Sequence, residues 1–332
     1  MVELYWHRAA SSKLFSAVFG RMKTLNAKRG ARRDPPRPTK LAAWMSLAVA
    51  LAGVLVWRLR EPVCQGKTVS AWIEELGDNS SAAAKAFREI GPGTVAPLIQ
   101  ALERKPAGWL KAYAIVVIHS PRFLKPTLAN RYSDIARRES RLPRLRAAAA
   151  QVLGDFGPEA GRATPALVKA LGDTNATLRL HAAFALGKIG ATPELAVPAL
   201  AGLLGDRNEE VRMYAAIALK KFGTQAAAAV PALIATLKDR GWQVRDRSAL
   251  ALGAAGQHQT SVVSALEEAL RDEHRFVRSS AATALAALAP RARSARVALQ
   301  NARYDPDAEV RYSAGLAVSQ IDSEADARAD LK

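Results

Sequence analysis

The 332-residue chain is long enough for two average domains or for one extended array of repeats. Its single cysteine, Cys64, excludes an intrachain disulfide and a four-cysteine zinc framework. The formal charge of +18 is unevenly placed, because residues 1–60 carry 12 Lys/Arg against 2 Asp/Glu while residues 145–322 carry 21 against 17. More than half of the excess positive charge therefore lies near the N-terminus.

The N-terminal segment predicts a membrane tether. Residues 1–40 are basic and rich in proline, which is typical of a disordered tail. Leu41 to Trp57 follows without a charge, and a helix of that length spans roughly 25 Å, close to the core of a bilayer. The preceding Lys/Arg residues predict a cytoplasmic N-terminus. We therefore expect a single-pass protein of a bacterial inner membrane whose repeat domain is periplasmic or extracytoplasmic. Cleavage of the anchor and a start at Met22 stay open.

The juxtamembrane segment, residues 58–79, predicts a short helix that caps the rest of the chain. Val69, Trp72, Ile73 and Leu76 recur at helical spacing and form an apolar stripe. The first unit of a stacked array would otherwise expose its apolar side, so we expect this stripe to cover it.

Sets of residues recur with a period of 33 between Leu145 and Ile321. A fixed period of this length is the signature of stacked helical hairpins. The arginine column is Arg146, Arg179, Arg212, Arg245, Arg278 and Arg311. The aspartate column is Asp173, Asp206, Asp239, Asp272 and Asp305. Leucine and glycine columns, which include Leu186 and Gly190, keep the same spacing.

One unit, residues 177–208, shows how the sequence specifies a hairpin. Its first helix has apolar residues every three or four positions and ends at Gly190, since glycine adopts a positive φ without strain. Pro198 is expected in the first turn of the second helix, where a missing N–H has no cost. Asp206 then precedes the next unit.

This pattern resembles the HEAT repeats, above all the short bacterial kind found in phycobilin lyases. The resemblance implies an all-α, right-handed α-solenoid of about seven hairpins over residues 80–322, followed by an acidic tail at residues 323–332. Residues 82–103 predict an additional hairpin upstream of the columns. Residues 109–118 and 127–138 predict a degenerate one, and the last unit is truncated.

The segment from Glu61 to Ile73 carries a second resemblance. Its Glu-Pro-x-x-x-Gly-Lys-x-x-x-x-Trp pattern is similar to the juncture in membrane-anchored bacterial HEAT-repeat proteins, where it follows the anchor. Those proteins have no defined activity, so the resemblance implies a tether and an array but no chemistry.

The sequence predicts no catalytic, metal or cofactor site. Deoxyhypusine hydroxylases, which are enzymes built on HEAT-like arrays, hold two irons with His-Glu pairs, and none of the five histidines here precedes a glutamate. No His-x-x-x-His, cysteine pair or glycine-rich phosphate loop is present. The resemblance to phycobilin lyases leaves a lyase-like or enzyme-accessory role as an alternative.

The aspartate and arginine columns predict a structural ladder. Asp206 lies six residues before Arg212, across the turn between two hairpins. Each arginine can therefore bond to its own turn and to the aspartate of the neighbouring unit. We expect exposed pairs, each worth about 0.2–1 kcal/mol, that set the register between repeats.

A cluster at one turn is a possible contact for an anion or a partner. It comprises Arg240, Trp242, Arg245 and Arg247. Nucleic-acid binding is a further alternative, through a concave face that we expect the second helices to line. Those helices carry sparse charges of both signs and no continuous basic stripe, which argues against nucleic acid as a partner.

Together these patterns favour a non-catalytic, membrane-anchored scaffold that binds a protein or peptide on the concave face of the solenoid. The identity of the partner and the oligomeric state are not specified by the sequence.

Overall fold

A computed structural model describes residues 61–78, 80–256, 260–289 and 291–329, with the backbone alone for residues 324–329. The predicted tail, residues 1–40, and the predicted anchor, Leu41 to Trp57, lie outside these residues. Among the helices of the described part, none combines the length and the apolar character needed to cross a bilayer.

The described chain begins with a two-stranded antiparallel ribbon, β1 (Val63–Cys64) and β2 (Lys67–Thr68). Its turn places Gln65 and Gly66 at positive φ, which explains the glycine of the Glu-Pro-x-x-x-Gly-Lys pattern. Lys67 Nζ lies 4.5 Å from the centre of the Trp72 ring, and the Trp72 indole N–H donates to Cys64 O at 3.0 Å. The pattern thus specifies a ribbon clamped onto the next helix.

Helix α1 (Val69–Leu76) follows the ribbon directly. The Thr68 hydroxyl accepts a hydrogen bond from the Ala71 N–H at 3.3 Å, and the Glu61 carboxylate accepts one from the Ser70 hydroxyl at 2.5 Å. Glu61 and Thr68 therefore both anchor the start of the helix. The four residues of the predicted apolar stripe are buried: Val69, Trp72, Ile73 and Leu76. Helix α1 packs on the two helices that follow it, Ser80–Ile90 and Val95–Glu103, and on the long helix Lys125–Asp155.

The remainder is a succession of antiparallel helices. Before the regular repeats come α2 (Ser80–Ile90), α3 (Val95–Glu103), α4 (Leu110–His119) and α5 (Lys125–Asp155). The first helices of the later repeats are α7 (Ala176–Ile189), α9 (Glu209–Phe222), α11 (Trp242–Ala255), α13 (Arg275–Ala287) and α15 (Ala308–Ala329). The second helices are α6 (Thr164–Ala170), α8 (Pro193–Leu203), α10 (Val230–Thr236), α12 (Thr260–Ala269) and α14 (Arg296–Ala302). The described chain is an all-α solenoid apart from the short ribbon.

The degenerate hairpin departs from the prediction at its second helix. That helix does not stop near residue 138 but continues as α5 to Asp155, so one helix serves two successive hairpins. Position 140, one period before Asp173, is a serine, and its hydroxyl donates back to Arg137 O at 2.8 Å within the helix. Without the aspartate that closes the turn elsewhere, the chain continues as a helix.

One further helix boundary was predicted incorrectly. Helix α8 begins at Pro193, so Pro198 lies inside the helix and not in its first turn. Thr192 adopts a left-handed conformation just before it, and Pro193 supplies the favoured φ of a first helical residue. At the other end, α15 runs to Ala329, beyond the predicted end of the solenoid at residue 322.

The first helices pack tightly against one another, and small residues make this possible. A Cβ added to Gly187 would lie 2.7 Å from Ala218 Cα, and Gly154 and Gly253 face Ala185 and Ala284 in the same way. The second helices, in contrast, touch one another at only a few residues. The first helices of neighbouring repeats are therefore in closer contact than the second helices.

Candidate partner-binding surface

The structure joins the aspartate and arginine columns into a continuous ladder. Arg212 Nη1 donates to Asp206 O at 2.9 Å in its own turn, while Nε and Nη2 donate to both carboxylate oxygens of Asp239 at 2.7 Å. Asp239 in turn accepts the Gly241 N–H at 2.8 Å. Each arginine thus ties the turn of its own unit to the turn of the next.

The internal rungs are largely buried, with the arginine more covered than the aspartate in three of the four, which corrects the expectation of exposed pairs. They are Arg179–Asp206, Arg212–Asp239, Arg245–Asp272 and Arg278–Asp305, with side-chain exposures between 5% and 14%. Each pairs a guanidinium with a carboxylate in a two-bond geometry. A charge left unpaired at such a site is costly, so these rungs have more weight than surface ion pairs.

The pKa values of the ladder carboxyls follow from this geometry. The hydrogen bond from Arg278 lowers the pKa of Asp305; burial opposes it, and the Asp307 N–H adds to the lowering. At Asp239 burial is the largest influence and raises the pKa, but the bonds from Arg212 and the Gly241 N–H outweigh it, so the pKa is again lowered. These carboxylates are therefore held in the charged form.

The two ends of the ladder are weaker. Arg146 makes one bond to Asp173, at 2.7 Å, and donates its second to Leu102 O because helix α5 provides no turn of its own there. Arg311 is exposed and bonds only to the turn carbonyls of Asp305 and Pro306 among its described contacts.

The predicted cluster at residues 240–247 is dispersed by the fold. Arg245 is a buried ladder residue, and its N–H groups also reach Arg240 O and Glu273. Arg247 lies 3.3 Å from Asp246 on the same helix. Trp242 stacks on His274, with ring centres 4.0 Å apart. The structure therefore does not gather these guanidinium groups into one basic site.

A different surface runs along the first helices, on the side that faces away from the second helices. Its residues also recur with a period of 33 and are not fully buried. The apolar members are Leu180, Phe184, Met213, Tyr214, Ile217, Leu250, Phe276, Tyr312 and Leu316. We call these residues the first-helix surface. Phe184 and Tyr214, on neighbouring helices, meet edge to face at 5.8 Å.

The C-terminal half of the first-helix surface contains a polar recess of about 340 Å³. Asp246 lies at its base, is 5% exposed, and accepts a hydrogen bond from the Ser280 hydroxyl. Ser279 and Ser313 share a hydrogen bond of 3.1 Å beside it. The recess is lined by Trp242, Asp246, Arg247, Leu250, Phe276, Ser279, Ser280 and Glu309. The surface therefore combines a row of apolar side chains with one polar recess that contains a buried carboxylate.

The first-helix surface is not evident from the sequence because the first helices are apolar on more than one side. Position 184 and its equivalents 217, 250 and 316 are apolar, and they read as core residues at helical spacing. The same columns contain Gln151 and Thr283, and the neighbouring column contains Asp246 and Ser279. This variation within an otherwise strict repeat was the available signal.

Comparison with protein families identifies the repeat. A family model described as HEAT repeats matches residues 134–204, 164–253 and 230–319, which together cover more than half of the chain. The chain belongs to the HEAT-repeat family. A search of curated proteins finds no match.

Solved structures that match this chain include natural and engineered proteins. The archaeal HEAT-like repeats protein from Thermococcus onnurineus NA1 is 15% identical, with coverage of 66% of this chain and 99% of its own and a TM-score of 0.43. The complex of CpcE and CpcF of phycocyanin lyase from Nostoc sp. PCC7120 is 24% identical, covers 47% and 98%, and has a TM-score of 0.40. An engineered protein is 19% identical, covers 83% and 90%, and has a TM-score of 0.44.

Proposed function

We propose that this HEAT protein is a non-catalytic scaffold that binds a protein or peptide along its first-helix surface. The observation that carries the proposal is that successive first helices each carry at least one partly exposed apolar side chain of the first-helix surface. A row of this kind suits an extended partner, because each repeat adds a similar contact. The polar recess at Asp246 would then fix the register of the partner.

The proposal places the concave side on the first helices, whereas the sequence suggested the second helices. A stacked array bends toward the side on which its units are closest together. The contacts of Gly154, Gly187 and Gly253 bring the first helices together, and the second helices lack comparable contacts. From this closer approach we infer that the first helices line the inner side of the curve.

The proposal also includes a tether through Leu41 to Trp57, with a cytoplasmic N-terminus and an extracytoplasmic array in a bacterial inner membrane. The support is the uncharged run itself and the basic residues before it. A reporter fused after Lys332 tests the orientation. A fused enzyme that folds only in an oxidising compartment should be active at this position. Activity of a fused reporter that works only in the cytoplasm would reverse the predicted orientation.

Photocrosslinking in cells tests the binding surface. A photoreactive residue replaces Ile217 on the first-helix surface of the full-length chain, and a matched probe replaces Leu195, which is 51% exposed on second helix α8. We expect one discrete adduct from position 217 and none from position 195. Phe184→Glu should abolish the adduct, since the two positions lie on adjacent repeats.

Two results would contradict the scaffold function. Equal adducts from positions 217 and 195 would show that the first-helix surface has no special role. A chromophore or metal that co-purifies with the full chain, and is lost in Asp246→Asn, would instead support the lyase-like or enzyme-accessory alternative.

A further inference from the structure

A second surface lies outside the regular repeats, on the hairpin of α4 and the N-terminal half of α5. We call residues 104–144 the basic hairpin. Among these residues only Leu142 is buried, and helix α4 buries none. Its large apolar side chains point into solvent: Trp109, Ile115, Val116, Ile118, Phe123 and Leu124 are 42–79% exposed. Several large apolar side chains exposed on one short element are typical of an interaction site.

The same residues carry a concentrated positive charge. The basic hairpin has ten Lys/Arg and two Asp/Glu, whereas residues 61–103 have three Lys/Arg and six Asp/Glu. Lys111, Arg122 and Lys125 are exposed and lie next to the apolar side chains of α4 and its turn. Charge and apolar surface therefore coincide on one hairpin.

At the base of the basic hairpin is a recess of about 700 Å³. Four cationic residues line it, together with the carboxylates of Glu74 and Glu139: Arg104, Lys105, Arg138 and Arg141. Arg104 is paired with Glu74 at 2.7 Å, and Arg141 with Asp78 at 2.8 Å. The excess of cations leaves this recess suited to an anionic head group.

Aromatic contacts join the two helices of the basic hairpin, while its large apolar side chains stay exposed. Trp109 and Tyr113 meet edge to face at 5.7 Å, and Tyr113 lies 6.2 Å from Tyr132 on α5. Helix α4 packs chiefly on α5. The hairpin is therefore a formed element whose outer side has no partner among the described residues.

We propose that the basic hairpin lies on the surface of a membrane rich in anionic phospholipid. Large apolar and aromatic side chains enter the boundary between head groups and acyl chains, while adjacent Lys/Arg residues contact the lipid phosphates. A nucleic acid would use the charge but would leave the aliphatic side chains exposed. Pairing with the basic hairpin of a second copy would bring the ten Lys/Arg residues of one copy against the ten of the other, and these like charges repel. This contact is separate from the tether and from the first-helix surface.

A fluorescent probe in the full-length chain tests the proposal. Cys64→Ser removes the native thiol, and Ile118→Cys or Phe123→Cys provides an attachment site for an environment-sensitive dye. Val297→Cys is the control, because Val297 and Ile118 are 67% and 64% exposed. The protein is reconstituted into phosphatidylcholine vesicles with and without phosphatidylglycerol, and a spin-labelled lipid serves as quencher. The tether is the same in every sample.

We expect the dye at position 118 or 123 to shift to the blue and to be quenched in vesicles with phosphatidylglycerol, with a much smaller response in phosphatidylcholine alone. The dye at position 297 should not respond. Arg122→Glu with Lys125→Glu should abolish the response, while Lys220→Glu with Lys221→Glu on α9 should leave it intact. Circular dichroism confirms that each variant is folded.

Three results would overturn the proposal. Equal quenching at positions 118 and 297 would show that the tether alone sets the distance from the bilayer. A blue shift in detergent that rises with protein concentration would identify a second copy as the occupant. Tight binding of a labelled oligonucleotide that is lost in the Arg122→Glu, Lys125→Glu variant would identify a nucleic acid. Photocrosslinking from position 217 reports separately on the scaffold function.

Discussion

The regular array, residues 145–322, and the basic hairpin, residues 104–144, are neighbours built from the same helical unit. In the array every turn has its aspartate and every first helix has its arginine, and the side chains between them form a continuous apolar core. The basic hairpin has neither the aspartate nor a core. A few polar residues at fixed spacing therefore distinguish a stacked unit from a hairpin that remains open to a partner.

The difference arises because the ladder stabilises the turn within each unit as well as the contact between neighbouring units. Asp173 accepts the Asn175 N–H at 2.9 Å and closes the turn, while its carboxylate also binds the arginine of the preceding unit. Ser140 does neither, since its hydroxyl donates to Arg137 O within the helix and α5 continues through it. Loss of one aspartate thus removes both a helix boundary and a point of attachment between units.

The strongest way to break the array is to remove an internal rung. Arg212→Ala leaves the Asp239 carboxylate buried without its partner, at 11% exposure. We expect the free energy of unfolding to fall by about 3–5 kcal/mol, as for a buried ion pair that loses one member. Denaturant unfolding followed by circular dichroism measures the change. A loss below about 1 kcal/mol would show that the rung behaves as an ordinary surface pair.

Disrupting the close approach of the first helices should lower the free energy of unfolding by less than removing a rung. Gly187→Ala places a Cβ 2.7 Å from the backbone of Ala218, and we expect a loss of about 1–3 kcal/mol from overpacking. Gly202→Ala on second helix α8 is the matched control, because its Cβ meets no atom within 4 Å. The control should gain about 0.5–1 kcal/mol, since alanine favours a helix over glycine. Similar melting temperatures for the two variants would refute the packing argument.

Acid should weaken the array through the ladder carboxylates. The pKa of Asp305 is lower in the folded chain than the unfolded value of about 3.9, so its contribution is complete above that value and disappears as the pH falls through the folded pKa. Asp305→Asn should therefore be less stable at neutral pH but lose less stability on acidification. Parallel pH profiles for the two proteins would contradict the assignment.

The smallest effects are expected at the end of the ladder and in the basic hairpin. Arg311 is exposed, and Phe123 is 79% exposed, so Arg311→Ala and Phe123→Ala should each change the free energy of unfolding by less than about 0.5 kcal/mol. Chemical unfolding of both variants beside Arg212→Ala tests the contrast. A large loss for Phe123→Ala would mean that the hairpin has a core after all.

Much of the fold is predictable from the sequence because the repeat is strict. The 33-residue columns identify HEAT repeats, and Arg212 and Asp239 stand out as residues that connect neighbouring units. Burial of these pairs was not predictable, because it depends on how closely the turns of adjacent units approach. The same holds for Pro198, whose place inside α8 depends on the conformation of Thr192.

The candidate surface was the hardest part to predict. Phe184 and Ile217 have the spacing and character of core residues, and only the packing of neighbouring first helices shows that they remain partly exposed. Conversely, Arg245 looked available for a partner and is held in the ladder by Asp272.

By itself the sequence determined the helical class, the period, the family and the residues that hold one unit to the next, because these follow from spacing along the chain. Only the tertiary structure decided which sides of a helix are covered. Gly187 and Ala218 bring two first helices together, and a row of apolar side chains along the first helices stays partly exposed. The unit that lacks the ladder leaves Ile118 exposed. Exposure depends on neighbours in space, and a period along the chain does not specify them.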